Sequence, residues 1–401
     1  MTTGKTIALT RWTCAGNSRY ARILAAVLAV AAALALCVFA LTGCGSPASS
    51  SAASGSTSSA SASASSSEAS GPATYVVTDG AGREVEIPTR ANLERMYATS
   101  PIGQMYLVTL APELLAGSNS TYSEAELKYM PGDIGGLPSY GTWAMNGTLD
   151  NEALIKADIQ VILDVSSAAI SDGDISAADE LQEQTGIPVL LFSGAVDETP
   201  DTYRAIGKVL DMEDRANELA DYCDKAYKDV TEAVAKVPES ERVTVYYAEG
   251  PDGLKTEPEN SPHFTTFKVG GAKDVADCDV TKGQGLTEVS LENVIAWNPE
   301  VIIAWSQEYR GGSDDTIRTS SDWASIKAVQ DGKVYTIPCL PFTWGDRPPS
   351  VTRYIGMQWM ANLLYPDVYN VDMVKVTQDY YKLFFSADLS DQDAKDILFL
   401  S

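Results

Sequence analysis

A single histidine, His263, stands in a chain of 401 residues. That scarcity counts against a zinc or manganese carrier built on clustered histidines and carboxylates. Positive charge is also scarce, with 29 Lys and Arg against 54 Asp and Glu and a formal balance of −25. Such a chain does not hold nucleic acid or anionic lipid by charge. Six cysteines are present and none forms a CxxC pair, which removes the common redox and zinc-ribbon spacings. HExxH, GxSxG and GxxxxGK[ST] are absent, and Gly283-Gln284-Gly285 lacks the third glycine of a dinucleotide loop. No enzymatic reading gains support, and paired carboxylates are too common in so acidic a chain to mark a catalytic site.

The N-terminal stretch is unlike the rest. Lys5, Arg11, Arg19 and Arg22 precede an apolar run from Leu24 to Leu41, with no acid before it. A basic start, an apolar centre and small residues ahead of a cut site describe an export signal, expected over residues 1–43. The run is nearly long enough to span a bilayer, so an uncleaved anchor is the alternative. Leu41-Thr42-Gly43-Cys44 resembles the bacterial lipobox, which implies cleavage before Cys44 and lipid attachment to it. Loss of four positive charges would take the balance from −25 to −29. Residues 44–73, mostly Ser and Ala, have no apolar face to bury and read as a flexible tether. Of the remaining cysteines, Cys223, Cys278 and Cys339 are expected as buried thiols, one disulfide being possible after export.

The folded part begins near Thr74. Tyr75 to Pro88 reads as a β-hairpin turning at Asp79-Gly80 to Gly82. Arg95–Thr99 gives a strand, Pro101 opens a helix to Leu110, and Leu114–Gly117 gives another strand. The stretch from Asn119 to Leu149, rich in Gly, Pro, Tyr and Trp, is long enough to be functional. Helices are expected over Ala177–Thr185 and Thr199–Leu210, around a buried strand at Pro188–Phe192. From Glu213 to Val237, apolar residues recur at spacings of three and four, predicting a helix of about 37 Å that can join two domains. A strand at Lys333–Ile337 and a helix at Ser350–Leu364 follow.

One stretch occurs twice. Glu152 to Leu163 and Glu292 to Ile303 align at a constant offset of 140 residues, Asp158 falling on Asn298 and Val161 on Val301. Each copy reads as a helix start, a turn and a short strand buried on both faces of a parallel sheet. Leu154-Ile155 and Val294-Ile295 are expected to face inward. The implied fold is α/β, with a duplicated architecture.

The opening Thr78 to Pro88, the two Glu-led repeats, the long mid-chain helix and the tail from Tyr365-Pro366-Asp367 to Ser390 together resemble substrate-binding lipoproteins of ABC importers for iron chelates, haem and cobalamin. The resemblance covers nearly everything from Thr74 onward. It implies two Rossmann-like lobes with mainly parallel sheets, at 74–211 and 239–401, joined by one rigid helix at 212–238. It also implies a monomeric, lipid-anchored, extracytoplasmic protein whose partners are permease and ATPase subunits, with no resident cofactor. Glu152 and Glu292 match the glutamates that dock on the permease, although a glutamate in a first helical turn is favoured by the helix dipole alone. Phe342 to Ser350 sits at a strand-to-helix junction, where open α/β sheets bind ligands. Arg347 and Trp344 are its candidate ligand residues, the alternative being Arg347 paired with Asp346 or another local acid and Trp344 in the core. Tyr140, Trp143 and Met145 are candidates across the cleft, and Tyr309 and Arg310 weaker ones. The expected ligand is a metal chelate (siderophore, haem or cobalamin type). An oxyanion such as molybdate or tungstate, or a surface scavenger or sensor with no transport role, is the alternative.

Overall fold

The computed structural model describes residues 73–143, 147–281 and 285–400. The signal segment, Cys44, residues 44–72 of the tether and Met145 lie outside the described residues. Strands β1 (Thr74–Thr78) and β2 (Glu84–Pro88) pair antiparallel as the expected hairpin. Its corner is fixed by Asp79, whose carboxylate accepts from Ala81 N and Arg83 N and from Leu191 N of the neighbouring sheet.

The first sheet is parallel, in the order β3 (Met96–Ala98), β4 (Val161–Val165), β5 (Val189–Phe192). Helix α1 (Pro101–Leu110) follows β3, with Ser100 capping its Gly103 N–H and proline in the first turn, where it forfeits no bond. The strand expected at Leu114–Gly117 is reduced to one parallel bridge, Leu115 to Met96. A 3-10 turn at Pro112–Leu114 takes up the preceding residues. The long segment after it contains α2 (Glu124–Leu127) and buries Tyr129, Met130 and Ile134 in the core.

The repeat is present in three dimensions. Helix α3 (Asn151–Lys156) precedes β4, and its counterpart precedes the equivalent strand of the second sheet. Asp158 and Asn298 both take the left-handed conformation that ends each helix, at φ 52° and 47°. Leu154 and Val294 are fully buried, but Ile155 and Ile295 are 48% and 39% exposed, against the inward orientation expected of them. Consecutive helical residues point about 100° apart, so a helix this short laid on a sheet buries only one of each pair.

Helix α4 (Asp172–Thr185) starts five residues earlier than its apolar pattern suggests, because Ser171 and Asp174 form a capping box. Helices α5 (Thr199–Val209) and α6 (Glu213–Val234) follow. At 22 residues α6 is about 33 Å long, shorter than expected. Its stripe of Ala216, Leu219, Ala220, Cys223, Ala226 and Val230 packs on α5 of the first lobe and on a C-lobe helix. Cys223 and Cys339 are buried thiols, and Cys278 is half-buried.

The second sheet is also parallel, in the order β11 (Val334–Thr336), β10 (Val301–Ala304), β6 (Thr244–Ala248), β8 (Lys273–Asp274). A short antiparallel pair, β7 (Lys255–Thr256) with β9 (Thr287–Glu288), lies beside it. Around them run α7 (Thr265–Val269), α8 (Leu291–Trp297), α9 (Gln307–Arg310), α10 (Asp314–Thr319) and α11 (Lys327–Gln330). The chain closes with α12 (Thr352–Leu364), α13 (Met373–Phe385) and α14 (Asp391–Ile397). Among the described residues no helix is long and apolar enough to cross a membrane.

Helix α12 is buried on every side over its first ten residues, from Thr352 to Ala361. It passes so close to the preceding loop that a Cβ on Gly356 would lie 1.8 Å from the Trp344 carbonyl oxygen. Gly356→Ala is therefore expected to lower stability by about 1–3 kcal/mol or more, read as a fall in the urea midpoint at unchanged slope.

Candidate functional site

In a parallel sheet the residues just beyond the strand ends face the ligand crevice. In the N-lobe that edge is built on Thr99, which follows β3. Its carbonyl accepts from Trp143 N at 2.8 Å and from Thr142 Oγ1 at 3.2 Å. Its hydroxyl donates to Asp164 of β4, the strand alongside. Tyr97 OH donates to Gly141 O at 2.6 Å and accepts from Tyr140 N at 3.2 Å, and the two tyrosine rings meet edge-on at 5.2 Å. Tyr140 and Trp143 are thereby pinned to this edge, both half-buried. Trp143 also borders a cavity of 290 Å³ shared with Leu149, Asn151, Ala177 and Leu181.

The C-lobe edge is more charged. Glu249 follows β6, Glu257 follows β7, and Asp346 and Arg347 lie in the loop between β11 and α12. Arg347 is the hub. Its Nε lies 3.1 Å from Glu249 Oε1 and 3.1 Å from Asp346 Oδ2, and its Nη2 lies 2.5 Å from Glu257 Oε1. All three carboxylates are buried, while 19% of the Arg347 side chain stays exposed. Burial and the neighbouring Asp346 push the Glu249 carboxyl well above its usual range, against the pull of Arg347. Tyr247 OH donates to Asp346 Oδ1 at 2.8 Å, and Trp305 Nε1 donates to Tyr247 OH at 2.7 Å. His263 Nδ1 lies 3.1 Å from Asp346 Oδ2, and Glu257, His263 and Asp346 bring three potential metal-ligand atoms within 4.8 Å of one another.

These positions change the ranking made from sequence. Arg347 is at the expected junction but already faces three acids, the ion-paired alternative. Trp344 is fully buried and leaves no face open to a ligand, so its candidacy is corrected: it belongs to the core. The aromatic residue that stands at the strand end is Trp305, directly after β10 and half-buried. The guanidinium of Arg310 lies 4.9 Å from its ring and that of Arg347 5.8 Å away. Arg310 makes no ion pair among the described residues, and its buried Nε has no hydrogen-bond partner. Arg310 stood behind Arg347 in the sequence reading because nothing local marked it as the less neutralised of the two.

The lobes touch across this region. Arg353 of α12, 3% exposed, donates through Nη2 to Gly194 O just beyond β5, at 2.7 Å. Tyr354 OH donates to Val196 O. Tyr122 and Phe342 meet edge-on at 5.8 Å. Sequence reading missed Arg353, since a charged residue in a helix pattern is ordinarily assigned to solvent.

Comparison with known proteins supplies the family. A family model described as periplasmic binding protein matches residues 146–339. The structure of an ABC transporter solute binding protein from Sulfurospirillum deleyianum DSM 6946 is 31% identical, with a TM-score of 0.73, over 81% of this chain and 99% of that one. The chain belongs to the periplasmic binding protein family of ABC transporters. A curated relative, the molybdate-binding protein MolA of Haemophilus influenzae, is 26% identical over 357 residues, covering 81% of this chain and 95% of the relative. A periplasmic solute binding protein from Veillonella parvula DSM 2008, 24% identical with a TM-score of 0.65 over 81% of this chain and 97% of that one, shares the fold. The present chain is thus an extracytoplasmic solute-binding protein, which implies a small-molecule ligand and a permease partner.

Glu152 and Glu292, the expected docking residues of this binding protein, are both exposed in the first turns of α3 and α8. Each lies three positions before an exposed isoleucine, Ile155 or Ile295, so glutamate and isoleucine share a helix face.

Asp164 offers a test of the N-lobe edge. Burial pushes its carboxyl up to about 6 from 3.8, against the hydrogen bond from Thr99. A raised folded-state pKa means stability that is complete below the unfolded value and lost as pH rises through the folded one. Asp164→Asn should therefore be more stable than the parent by about 1–3 kcal/mol near pH 8, with the advantage fading towards pH 4, in urea melts.

Proposed function

We propose that the protein captures an anionic, oxygen-rich ligand and delivers it to an ABC permease. The observation that carries this reading is Arg310 over Trp305 at the end of β10, a guanidinium with no carboxylate in ion-pair range among the described residues. In a chain this acidic, an anion needs such a local positive site to overcome repulsion. Arg310 offers a fork of donors, Arg347 adds its exposed fifth, and Trp305 supplies a flat apolar wall. Tyr140 and Trp143 face the ligand from the N-lobe. Two sources share this chemistry: an oxyanion of the molybdate or tungstate kind, and a metal chelate of the siderophore, haem or cobalamin type. The named function of the Haemophilus relative favours the first. The aromatic residues on both edges favour the second. Lipid on Cys44 would hold the protein at the outer face of the membrane.

Calorimetric titration of the purified full chain with molybdate, tungstate, a ferric siderophore, haem and cobalamin separates the sources, with sulfate as a charge control. Whichever binds, Arg310→Ala should weaken it by about 1.5–3 kcal/mol, the worth of a charged hydrogen bond. Arg310→Lys should restore only part, since lysine presents no fork. Unchanged affinity in Arg310→Ala would remove this site from consideration.

Docking is proposed at the two repeat copies, through Glu152 with Ile155 and Glu292 with Ile295. Two equivalent charged and apolar pairs suit a partner that presents two equivalent sites. In cells that carry a permease supporting uptake through this protein, Glu152→Ala with Glu292→Ala should abolish uptake, and Ile155→Ser with Ile295→Ser should reduce it. Neither pair should change ligand affinity or melting temperature appreciably. Loss of ligand binding in the glutamate pair would place those residues in the cleft instead.

A further inference from the structure

The anion reading leaves Glu257, His263 and Asp346 unused. Two of the donor atoms in this group lack an aligned hydrogen bond. Asp346 Oδ2 lies 3.1 Å from both His263 Nδ1 and Arg347 Nε, yet it accepts no hydrogen bond, and His263 Nδ1 makes none. Asp346 is 1% exposed, so water does not substitute freely. Glu249 Oε2, on a side chain with no exposure, is idle as well. A buried acceptor beside two donors that do not align with it calls for a third body.

The spacing suits a metal ion. Bonds of about 2.0–2.2 Å to a tetrahedral or octahedral centre set neighbouring donor atoms about 3 Å apart, close to the 3.1 Å between Asp346 Oδ2 and His263 Nδ1. The carboxylates are also oriented from behind, as ligands are. Tyr247 OH donates to the other oxygen of Asp346 at 2.8 Å. Ser261 Oγ and Leu286 N donate to the two oxygens of Glu257 at 2.6 and 2.7 Å.

We propose that His263 Nδ1, Asp346 Oδ2 and a Glu257 oxygen bind a divalent first-row transition ion, such as Zn²⁺, Co²⁺ or Mn²⁺, beneath the C-lobe edge of the cleft. Two carboxylates with one imidazole suit these ions better than Mg²⁺ or Ca²⁺. All three ligands come from one lobe, so the site does not depend on lobe closure or on the nature of the transported solute.

Because His263 is the only histidine in the chain, its imidazole resonances can be followed without mutation. The full chain, freed of metal with a chelator, is titrated with Zn²⁺ and observed by NMR of ¹⁵N-labelled histidine and by calorimetry. The expected result is a saturable shift of the His263 signals at one ion per chain, undisturbed by Mg²⁺. Affinity should weaken by roughly tenfold or more in His263→Ala and in Glu257→Gln, with circular dichroism of the metal-free variants checking that each is folded. Co²⁺ should give visible absorption bands that His263→Ala removes. His263 signals that do not move at millimolar Zn²⁺, or Zn²⁺ affinity that is the same in wild type and His263→Ala, would overturn the proposal.

Discussion

The two lobes depend on one buried helix. α12 carries no exposed residue over its first ten positions, and its Arg353 guanidinium reaches across to the Gly194 carbonyl at the end of the other lobe's sheet. A charged group that deep is stable only while it keeps its partners, because breaking one side of a buried contact leaves the other unsolvated. Together with α6, which packs against α5 in one lobe and α12 in the other, this contact holds the two sheet edges in a fixed relation. The relation between the two edges is therefore set mainly by helix packing, and the side chains on each edge decide what could bind there.

Those edges differ in charge despite their common plan. The N-lobe edge is a network of hydroxyls and backbone groups around Thr99, with one carboxyl, Asp164, whose charge burial disfavours. The C-lobe edge concentrates three carboxylates and two arginines. Arg347 is largely consumed by the carboxylates, and Arg310 is set apart over Trp305. Electrostatic selectivity in this crevice thus rests on how the acids and cations are paired, not on their number, since the chain as a whole is strongly acidic.

How far the sequence could be read follows from how local each signal is. The repeat was legible because its parts are contiguous: a helix start, a left-handed turn and a β-branched strand within a dozen residues. The hairpin and the start of α1 were legible for the same reason, through Asp79-Gly80 and Pro101. The strand at Leu114–Gly117 was misread because a proline at 112 seeded a tight turn and left a single bridge. The C-lobe cluster was out of reach. Glu249, Glu257, His263 and Asp346 are spread over about a hundred residues, and in a chain with 54 acids no carboxylate stands out until the fold brings it beside another. Trp344 was misplaced by the same limit. A tryptophan beside an arginine looks like a binding wall, and only the fold shows it fully buried, with Gly356 packed against its carbonyl.

The repeated unit would also let solute capture and the proposed docking share one side of the molecule. In a parallel α/β unit the helix runs against the strands, so the start of a helix and the end of a strand lie at the same sheet edge. Glu152 and Ile155 lie at or near the start of α3, as Glu292 and Ile295 do in α8, and Trp305 stands at the end of β10. A partner that read both helix starts would cover the mouth of the crevice without entering it. The duplication preserved the glutamate and the isoleucine in both copies, yet the residues at the strand ends diverged, Asp164-Val165 in one lobe standing where the other has Ala304-Trp305. That division is what physics asks of such a protein. On the docking proposed here, the outer contacts would match a partner with two equivalent halves, while the inner ones need only fit a solute that has no such symmetry.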